Sequence, residues 1–232
     1  MARSIKFAEG EYYHIYNRGV DKRDIFLDSY DLSRFLKGIQ AFNTIEPIGS
    51  LYELSFKENK EDLTPHQLGD SVSKLVGIVC YCLNPNHYHL LLKQVSEGGI
   101  SKFMHRVGLA YTQYFNEKNK RSGVLFQGPF KAIHVDKNEY LIHLSAYINQ
   151  NFEVHNEWHG DDKKKALTRS SWGEYCGLSA DKICKKDIIL GQFPDLEAYK
   201  SFARDSLQSI KERREESDLA PYFIELGDGV AE

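Results

Sequence analysis

The feature that most constrains the fold of this 232-residue chain is the segment LVGIVCYCLNPNHYHLLL at residues 75–92. Residues 75–83 are apolar on both alternating faces, which predicts a central strand of a sheet. The NPN signal at residues 84–86 predicts a tight turn, so residues 87–93 are expected to return as the partner strand of a hairpin. The rest of the chain is expected to be organised around this hairpin.

His87 and His89 lie one residue apart in the second strand of the predicted hairpin. Successive side chains of a strand point to opposite faces, so both histidines share a face while Tyr88 points the other way. Two imidazoles about 7 Å apart along a strand can converge on one divalent ion and leave its other positions open to substrate. The alternative is a pair of partly buried strand histidines, each bonded to a neighbour. The pair alone leaves both interpretations open.

Hydrophobic periodicity around the hairpin predicts the order strand, helix, strand, strand, helix, strand, helix. A strand is predicted at 11–17, and helices are predicted at 29–42 and 100–115. The stretch at 124–135 is expected to be extended, with an interruption at Gly128-Pro129. A last helix is predicted from Lys137 to about Asn151, because Asp136 and Glu139 have capping-box spacing. This order predicts an α+β fold: a ferredoxin-like, split βαββαβ antiparallel sheet with helices on one face. A mainly helical C-terminal extension is expected to follow.

Composition shifts suggest how the chain is divided. Residues 1–155 are predicted to form the main domain, with a polar insertion at 43–74 in which residues 64–67 could start a short helix. Residues 156–232 form the extension, which begins with the mixed-charge linker at 161–165 and contains a helix starting near Asp195. The last residues are acidic and are expected to be frayed.

Cysteine usage and hydropathy point to a cytoplasmic protein. Four scattered cysteines are too few for a disulfide framework, which favours a reducing compartment. Cys80 and Cys82 lie in the apolar strand, where packing explains them better than zinc. The N-terminal residues lack the apolar core of a signal peptide, and no apolar run approaches the ~18 residues that span a bilayer.

The net charge of −3 and the pI of about 6.3 exclude a generically basic nucleic-acid binder, so any DNA contact must come from local clustering. Residues 102–137 hold seven basic and two acidic side chains, a local net charge of +5. A solvated helix face and loop would account for some of them. The candidate phosphate contacts are Lys102, Arg106, Lys120, Arg121 and Lys131, with a second group, Arg18, Lys22 and Arg23, after the first strand.

Tyr147 and Asn151 are four residues apart in the last helix of the predicted domain, hence on one helical face, and His143 lies one turn earlier. Taken alone, the tyrosine could be an apolar packing residue, and Asn151 could simply end the helix.

An ordered set of motifs gives these residues a context. Four motifs follow one another along the chain: NHYHLLL, a helix containing YTQYFN, SGVLFQGPFK and EYLIHLSAYINQN. They are preceded by YHIYNRGVDKRDIF and followed by TRSSWGEYCG and FPDLEAYKSF. The set resembles the single-tyrosine HUH transposases, and within them the REP-associated tyrosine transposases of the IS200-like family. The resemblance covers most of residues 11–205 and is weakest at 43–74. Two residues depart from the family pattern. Pro129 stands where the family usually has a basic residue, and Tyr88 stands where it has a small aliphatic residue.

The resemblance implies that Tyr147 is the catalytic nucleophile and that His87, His89 and Asn151 bind a divalent metal, Mg²⁺ or Mn²⁺. It implies a bacterial, nucleoid-associated transposase that cleaves single-stranded DNA through a 5′-phosphotyrosine and transfers the strand. Hairpin-bearing, palindromic DNA is the expected partner, and the protein is expected to act as a monomer or homodimer. Two other hypotheses stay open: a domesticated hairpin-binding protein without turnover, and a metal-dependent phosphodiesterase that uses water.

Overall fold

The computed structural model describes residues 5–49, 51, 73–154, 166–179 and 181–216. Its central feature is a five-stranded sheet in the order β4-β1-β3-β2-β5, in which all neighbouring strands are antiparallel. The strands are β1 (Tyr12–Arg18), β2 (Val76–Asn84), β3 (His87–Gln94), β4 (Lys131–Val135) and β5 (Arg169–Ser170). The predicted hairpin is therefore confirmed as β2 and β3, joined by a turn at Pro85-Asn86.

Helices cover both faces of the sheet. They are α1 (Ser29–Ala41), α2 (Gly99–Lys118), α3 (Asn138–Asn149), α4 (Asn151–Val154), α5 (Trp172–Tyr175), α6 (Asp187–Leu190) and α7 (Leu196–Glu216), with a 3-10 turn at Val20–Lys22. The two helices that connect the strands, α1 and α2, share one core with Tyr88 and Leu90 of β3, which confirms the α+β, split βαββαβ prediction. Helices α3 and α7 pack on the opposite face, against Leu91, so the C-terminal region covers the face that carries the histidines.

Polar side chains fix the ends of α1 against the sheet. Asp28 caps its N-terminus by accepting a hydrogen bond from the Asp31 N–H at 2.9 Å. Beyond its last turn, the buried amide of Asn43 bonds the backbone of Leu75 and Val76. This brings the end of α1 to the start of β2, where the hairpin begins.

Helix α2 starts at a close approach of two backbones. A Cβ atom on Gly99 would lie 2.2 Å from the Leu75 carbonyl oxygen, so only glycine fits there. The Gln94 side chain, at the end of β3, accepts a hydrogen bond from the Ile100 N–H at 3.2 Å. The start of α2 therefore lies at the end of the sheet remote from His87.

The helix carrying Tyr147 differs in detail from its prediction. Its N-cap residue is Lys137, whose side chain makes no capping bond, so the predicted capping role of Asp136 is wrong. It ends at Asn149, because Gln150 has the non-helical angles φ −110° and ψ 11°, and Asn151 begins the separate helix α4. Tyr147 and Asn151 thus lie in two consecutive helices, α3 and α4, on either side of the non-helical residue Gln150.

Several sequence predictions concern residues outside the described ranges: the short helix at 64–67, the linker at 161–165 and the acidic C-terminus. The division at residue 155 stays a prediction, although β5 pairs with β2 and so joins the C-terminal region to the sheet. The predicted final helix is confirmed as α7, with Asp195 accepting a bond from the Ala198 N–H. Among the described helices, none combines the length and apolarity needed to cross a membrane.

Candidate active site

Strand register gathers polar side chains on one face of the sheet. His87 is paired with Arg18 of β1 on one side and with Asn84 of β2 on the other. His89 is paired in the same way with Tyr16 of β1. Directly paired residues of antiparallel strands project to the same side. The two histidines are therefore flanked by an arginine, an amide and a phenol near the turn of the hairpin.

His87 is buried and bonded through both ring nitrogens. Its Nδ1 lies 2.6 Å from Oδ1 of Asn86, an acceptor, so Nδ1 carries the proton. Its Nε2 lies 2.9 Å from Nδ2 of Asn84, which can only donate, so Nε2 presents a lone pair. The same Asn84 Nδ2 donates to Oδ1 of Asn151 at 2.7 Å. The amide of Asn84 thus holds His87 and Asn151 together.

A cation shared by His87 and Asn151 would take the place of the Asn84 N–H at His87 Nε2, because that nitrogen has a single lone pair. His87 Nε2 and Asn151 Oδ1 are both acceptors and lie 3.3 Å apart. Ligands bound at about 2.1 Å to an octahedral cation lie about 3 Å from each other. Asn151 is fully buried, and its Nδ2 has no hydrogen-bond partner among the described residues.

The rings of His89 and Tyr147 complete the cluster. The His89 ring stands nearly perpendicular to that of His87, with centroids 5.1 Å apart. The Tyr147 ring contacts His89 edge to face, with centroids 5.8 Å apart. Tyr147 is half-buried and belongs to the same chain. The structure therefore brings together all four residues predicted as nucleophile and metal ligands, whereas His143 turns away and contacts Ser206 and Phe202 of α7.

His14 is a neighbour of the site that the sequence prediction missed. It lies in β1, where its Nε2 is 2.9 Å from Nδ1 of His89 and the two rings are inclined by only 24°, with centroids 5.1 Å apart. Burial lowers the pKa of His14 to about 3, so its imidazole is neutral near pH 7. The alternation of His14, Tyr16 and Arg18 along β1 was the available signal, because residues two apart share a face.

Buried hydrogen bonds fix the helix that carries Tyr147. The Asn149 side chain, at the end of α3, accepts from the Ser171 hydroxyl at 2.6 Å and donates to the Tyr199 hydroxyl at 2.9 Å. Ser171 also accepts from the Tyr81 N–H of β2 at 2.9 Å. This network joins the sheet, the helix that carries Tyr147 and α7, so the C-terminal region helps to position Tyr147.

Six of the eight predicted DNA-contacting residues lie toward the hairpin turn. Arg18 and Lys131 are close to the histidines, since Arg18 is paired with His87 and Lys131 with Tyr16. Lys22 and Arg23 belong to the loop after β1, which is hydrogen-bonded to the hairpin turn through the Gly19 N–H and the Asn86 carbonyl. Lys120 and Arg121 begin the loop that returns to β1, in which Leu125 accepts from the Val20 N–H. Arg23 is paired with Asp21, and Arg121 donates to the Asn116 side chain and the Val124 carbonyl, so a path to the site would be lined mainly by Arg18 and the three exposed lysines.

Lys102 and Arg106 lie elsewhere, at the start of α2. That end of the sheet is seven residues along β3 from His87, or about 24 Å. The Arg106 guanidinium donates to the carbonyls of Thr44 and Ile45 at 2.6 and 3.1 Å, which gives it a structural role. Lys118, another contributor to the local positive charge, is paired with Asp28 and Asp31. The predicted DNA-binding role of Lys102 and Arg106 stays a prediction.

The site has few anionic ligands for a metal. No group of three His, Cys, Asp or Glu side chains arranged to hold a metal ion occurs in the described part of the chain. A cation here would instead take two imidazoles and the Asn151 amide oxygen from the protein, and its remaining positions would be open to phosphate oxygens. Such a mixed nitrogen and oxygen set is compatible with Mn²⁺, or with Mg²⁺ as a less ideal match.

Part of the chain is similar to a known protein family. A family model described as "Transposase IS200 like" matches residues 66–151. One solved structure, described as a REP-associated tyrosine transposase bound to a REP hairpin, is similar with a TM-score of 0.49 and 12% identity, covering 79% of this chain and 89% of that one. No curated protein sequence matches the chain. Residues 66–151, which contain both histidines, Tyr147 and Asn151, are similar to the IS200-like transposase family, in agreement with the resemblance of the sequence motifs.

Proposed function

We propose that this protein is a metal-dependent endonuclease and strand transferase for single-stranded DNA, with Tyr147 as its nucleophile. The observation that carries the proposal is the convergence, within one chain, of the Tyr147 ring on His89 and of Asn151 Oδ1 on His87 Nε2. A protein that only binds hairpins has no use for this combination of groups. The cluster also supports action in cis, which makes a monomer sufficient for cleavage.

Transesterification fits these residues. The Tyr147 oxygen attacks phosphorus, an O–P bond to the phenol forms, and the bond between phosphorus and the 3′ oxygen breaks. The phenol proton passes to water, and the leaving 3′ oxygen takes up a proton to become a 3′-hydroxyl. The products are a 5′-phosphotyrosyl link and a free 3′ end. One phosphodiester replaces another, so the reverse attack by a 3′-hydroxyl rejoins strands without ATP.

A divalent ion held by His87, His89 and Asn151 would stabilise charge on the phosphate oxygens. The free tyrosine pKa is about 10, so the phenol is a weak nucleophile at neutral pH and benefits from such help. The hydrogen bond from Asn84 and the contact of Asn86 with His87 keep the ligand atoms in place. Positioning of this kind is what a preorganised site contributes.

The proposed substrate is single-stranded DNA containing a hairpin. Support comes from the sequence motifs shared with REP-associated transposases and from the six cations near the hairpin turn of the protein. Arg18, half-buried beside His87 and bonded to Gln127, is held in place to contact a phosphate. The exposed cations Lys22, Lys120 and Lys131 would add salt-sensitive affinity.

A covalent adduct tests the proposal. The protein is incubated with end-labelled, hairpin-bearing single-stranded DNA and Mn²⁺, and the products are separated on a denaturing gel. We expect a shifted protein–DNA band that Tyr147→Phe abolishes while DNA binding survives. Tyr140→Phe is the matched control, because Tyr140 is an exposed tyrosine on the same helix. Cleavage without an adduct would instead identify a phosphodiesterase that uses water, and binding without cleavage would identify a hairpin-binding protein.

A further inference from the structure

We propose that His14 is a positioning residue that fixes the tautomer of His89, keeping the proton on Nδ1 and the lone pair on Nε2. The inference deepens the proposed function, on which its consequence for metal binding rests. It assigns a role to a third imidazole of the sheet that lies outside the HYH motif. His14 itself would touch neither the cation nor the DNA.

The geometry of the two rings carries the inference. His14 Nε2 and His89 Nδ1 are 2.9 Å apart, and the rings are inclined by only 24°. Both residues are buried, so water cannot easily replace either partner. The strand register explains the contact: Tyr16 is opposite His89 and His14 is opposite Leu91, so His14 is the diagonal neighbour of His89 on the same face.

A hydrogen bond between two neutral imidazoles requires one donor and one acceptor. If His89 donates through Nδ1, its Nε2 bears a lone pair and can bind a cation. If His14 donates instead, the proton of His89 lies on Nε2 and blocks coordination there. Free histidine in water favours the Nε2–H tautomer, so a partner on Nδ1 is needed to hold the other form. Metal-bound histidines commonly have such a partner.

The other histidine of the pair supports this assignment. His87 is held through Nδ1 by the Asn86 amide oxygen, and its Nε2 faces Asn151. His89 is likewise bonded through Nδ1, with the His14 ring in the place of the amide. Both imidazoles are therefore held from the same ring position. A single divalent ion bound through Nε2 of each ring would need this common pattern.

The first test is made on the metal-free protein. Long-range ¹H–¹⁵N correlation spectra of histidine-labelled protein report which ring nitrogen carries the proton. We expect His89 to be protonated on Nδ1 in the unmodified protein and to lose this preference in His14→Phe. A wild-type His89 protonated on Nε2 would overturn the inference. Because this measurement uses the unmodified chain, it remains decisive even if the variant does not fold.

The second test is the affinity for Mn²⁺, followed by electron paramagnetic resonance. His14→Phe is expected to bind Mn²⁺ about 10–100-fold more weakly, the usual effect of removing a partner of a metal-bound histidine. His134→Phe makes the same change in β4 on the other face of the sheet, where His134 is paired with Tyr13, and should bind like wild type. Equal affinities for wild type and His14→Phe would overturn the inference.

The two tests separate this inference from the proposed function. If wild type binds no Mn²⁺ and forms no DNA adduct, the proposed function fails, and the tautomer of His89 still decides the role of His14. If wild type binds Mn²⁺ and forms the adduct while its His89 is protonated on Nε2, the nuclease assignment stands and the role of His14 fails.

Discussion

Replacing Asn149 by alanine tests whether the C-terminal region positions α3, the helix that carries the proposed nucleophile Tyr147. Asn149 is fully buried, and its amide connects Ser171 with Tyr199 of α7. Its removal leaves two buried hydroxyl groups each with one partner fewer. A buried polar group without its partner costs about 1–3 kcal/mol. Ser171 keeps its bonds to Tyr81, and Tyr199 keeps Ser145 at 3.3 Å, so we expect the lower part of that range at each.

The expected loss in the free energy of unfolding is therefore about 2–3 kcal/mol, measured by urea denaturation at 25 °C as a lower midpoint at unchanged m-value. Asn138→Ala is the matched control, since Asn138 is on the same helix and its bond to Gln192 is exposed. The control should change stability by no more than about 0.5 kcal/mol. Equal losses in the two variants would refute the structural role given to Asn149.

The same variant should affect cleavage more than DNA binding. A displacement of about 1 Å at a reacting group can cost about 100-fold in rate, and Tyr147 lies two residues from Asn149. In single-turnover assays at saturating DNA, Asn149→Ala is expected to form the adduct more slowly while its DNA affinity stays near that of wild type. A normal rate of adduct formation would contradict the positioning argument.

Other perturbations address the metal site and the DNA path. Asn84→Ala should weaken Mn²⁺ binding about 10–100-fold, because the Asn84 amide orients Asn151 Oδ1 through a hydrogen bond that can persist when a cation is bound; unchanged affinity in a Mn²⁺ titration would argue against that role. Chelation with EDTA should abolish adduct formation and added Mn²⁺ should restore it, whereas an adduct formed in EDTA would exclude the metal. Arg18→Ala should lower DNA affinity and reduce the slope of log K against log salt by about 0.7. Lys102→Ala should lower DNA affinity less, and a larger loss of affinity in Lys102→Ala than in Arg18→Ala would refute the proposed path.

The fold was predictable because its signals are local. The apolar run of β2, the NPN turn and the HYHLLL run of β3 specify the hairpin within eighteen residues. The helical spacing around Tyr111 and Leu144 specifies α2 and α3 in the same way. The convergence of Tyr147 and Asn151 on the histidines came from the family resemblance, because periodicity alone does not say which face of a helix meets which strand.

The neighbours of the site were not predictable, because they depend on long-range pairing. His14 meets His89 only through the register of β1 against β3, strands that are separated by more than sixty residues. Asn84 was interpreted as a turn residue, and its side chain instead bridges His87 and Asn151. Outside the site, the bonds of the Arg106 guanidinium to the carbonyls of Thr44 and Ile45 were not predictable either, and its phosphate contact stays a prediction. In each case the partner is remote in sequence.

The most direct test of the central claim is to identify the residue that becomes linked to DNA. The adduct formed with Mn²⁺ is digested with nuclease and trypsin, and the tryptic peptide covering residues 138–163 is sequenced by tandem mass spectrometry. This peptide contains both Tyr140 and Tyr147, so the fragment ions distinguish the two. We predict a nucleotide phosphate on Tyr147. A phosphate on Tyr140 or on another peptide, or cleaved DNA without any modified peptide, would contradict the assignment of Tyr147 as the nucleophile.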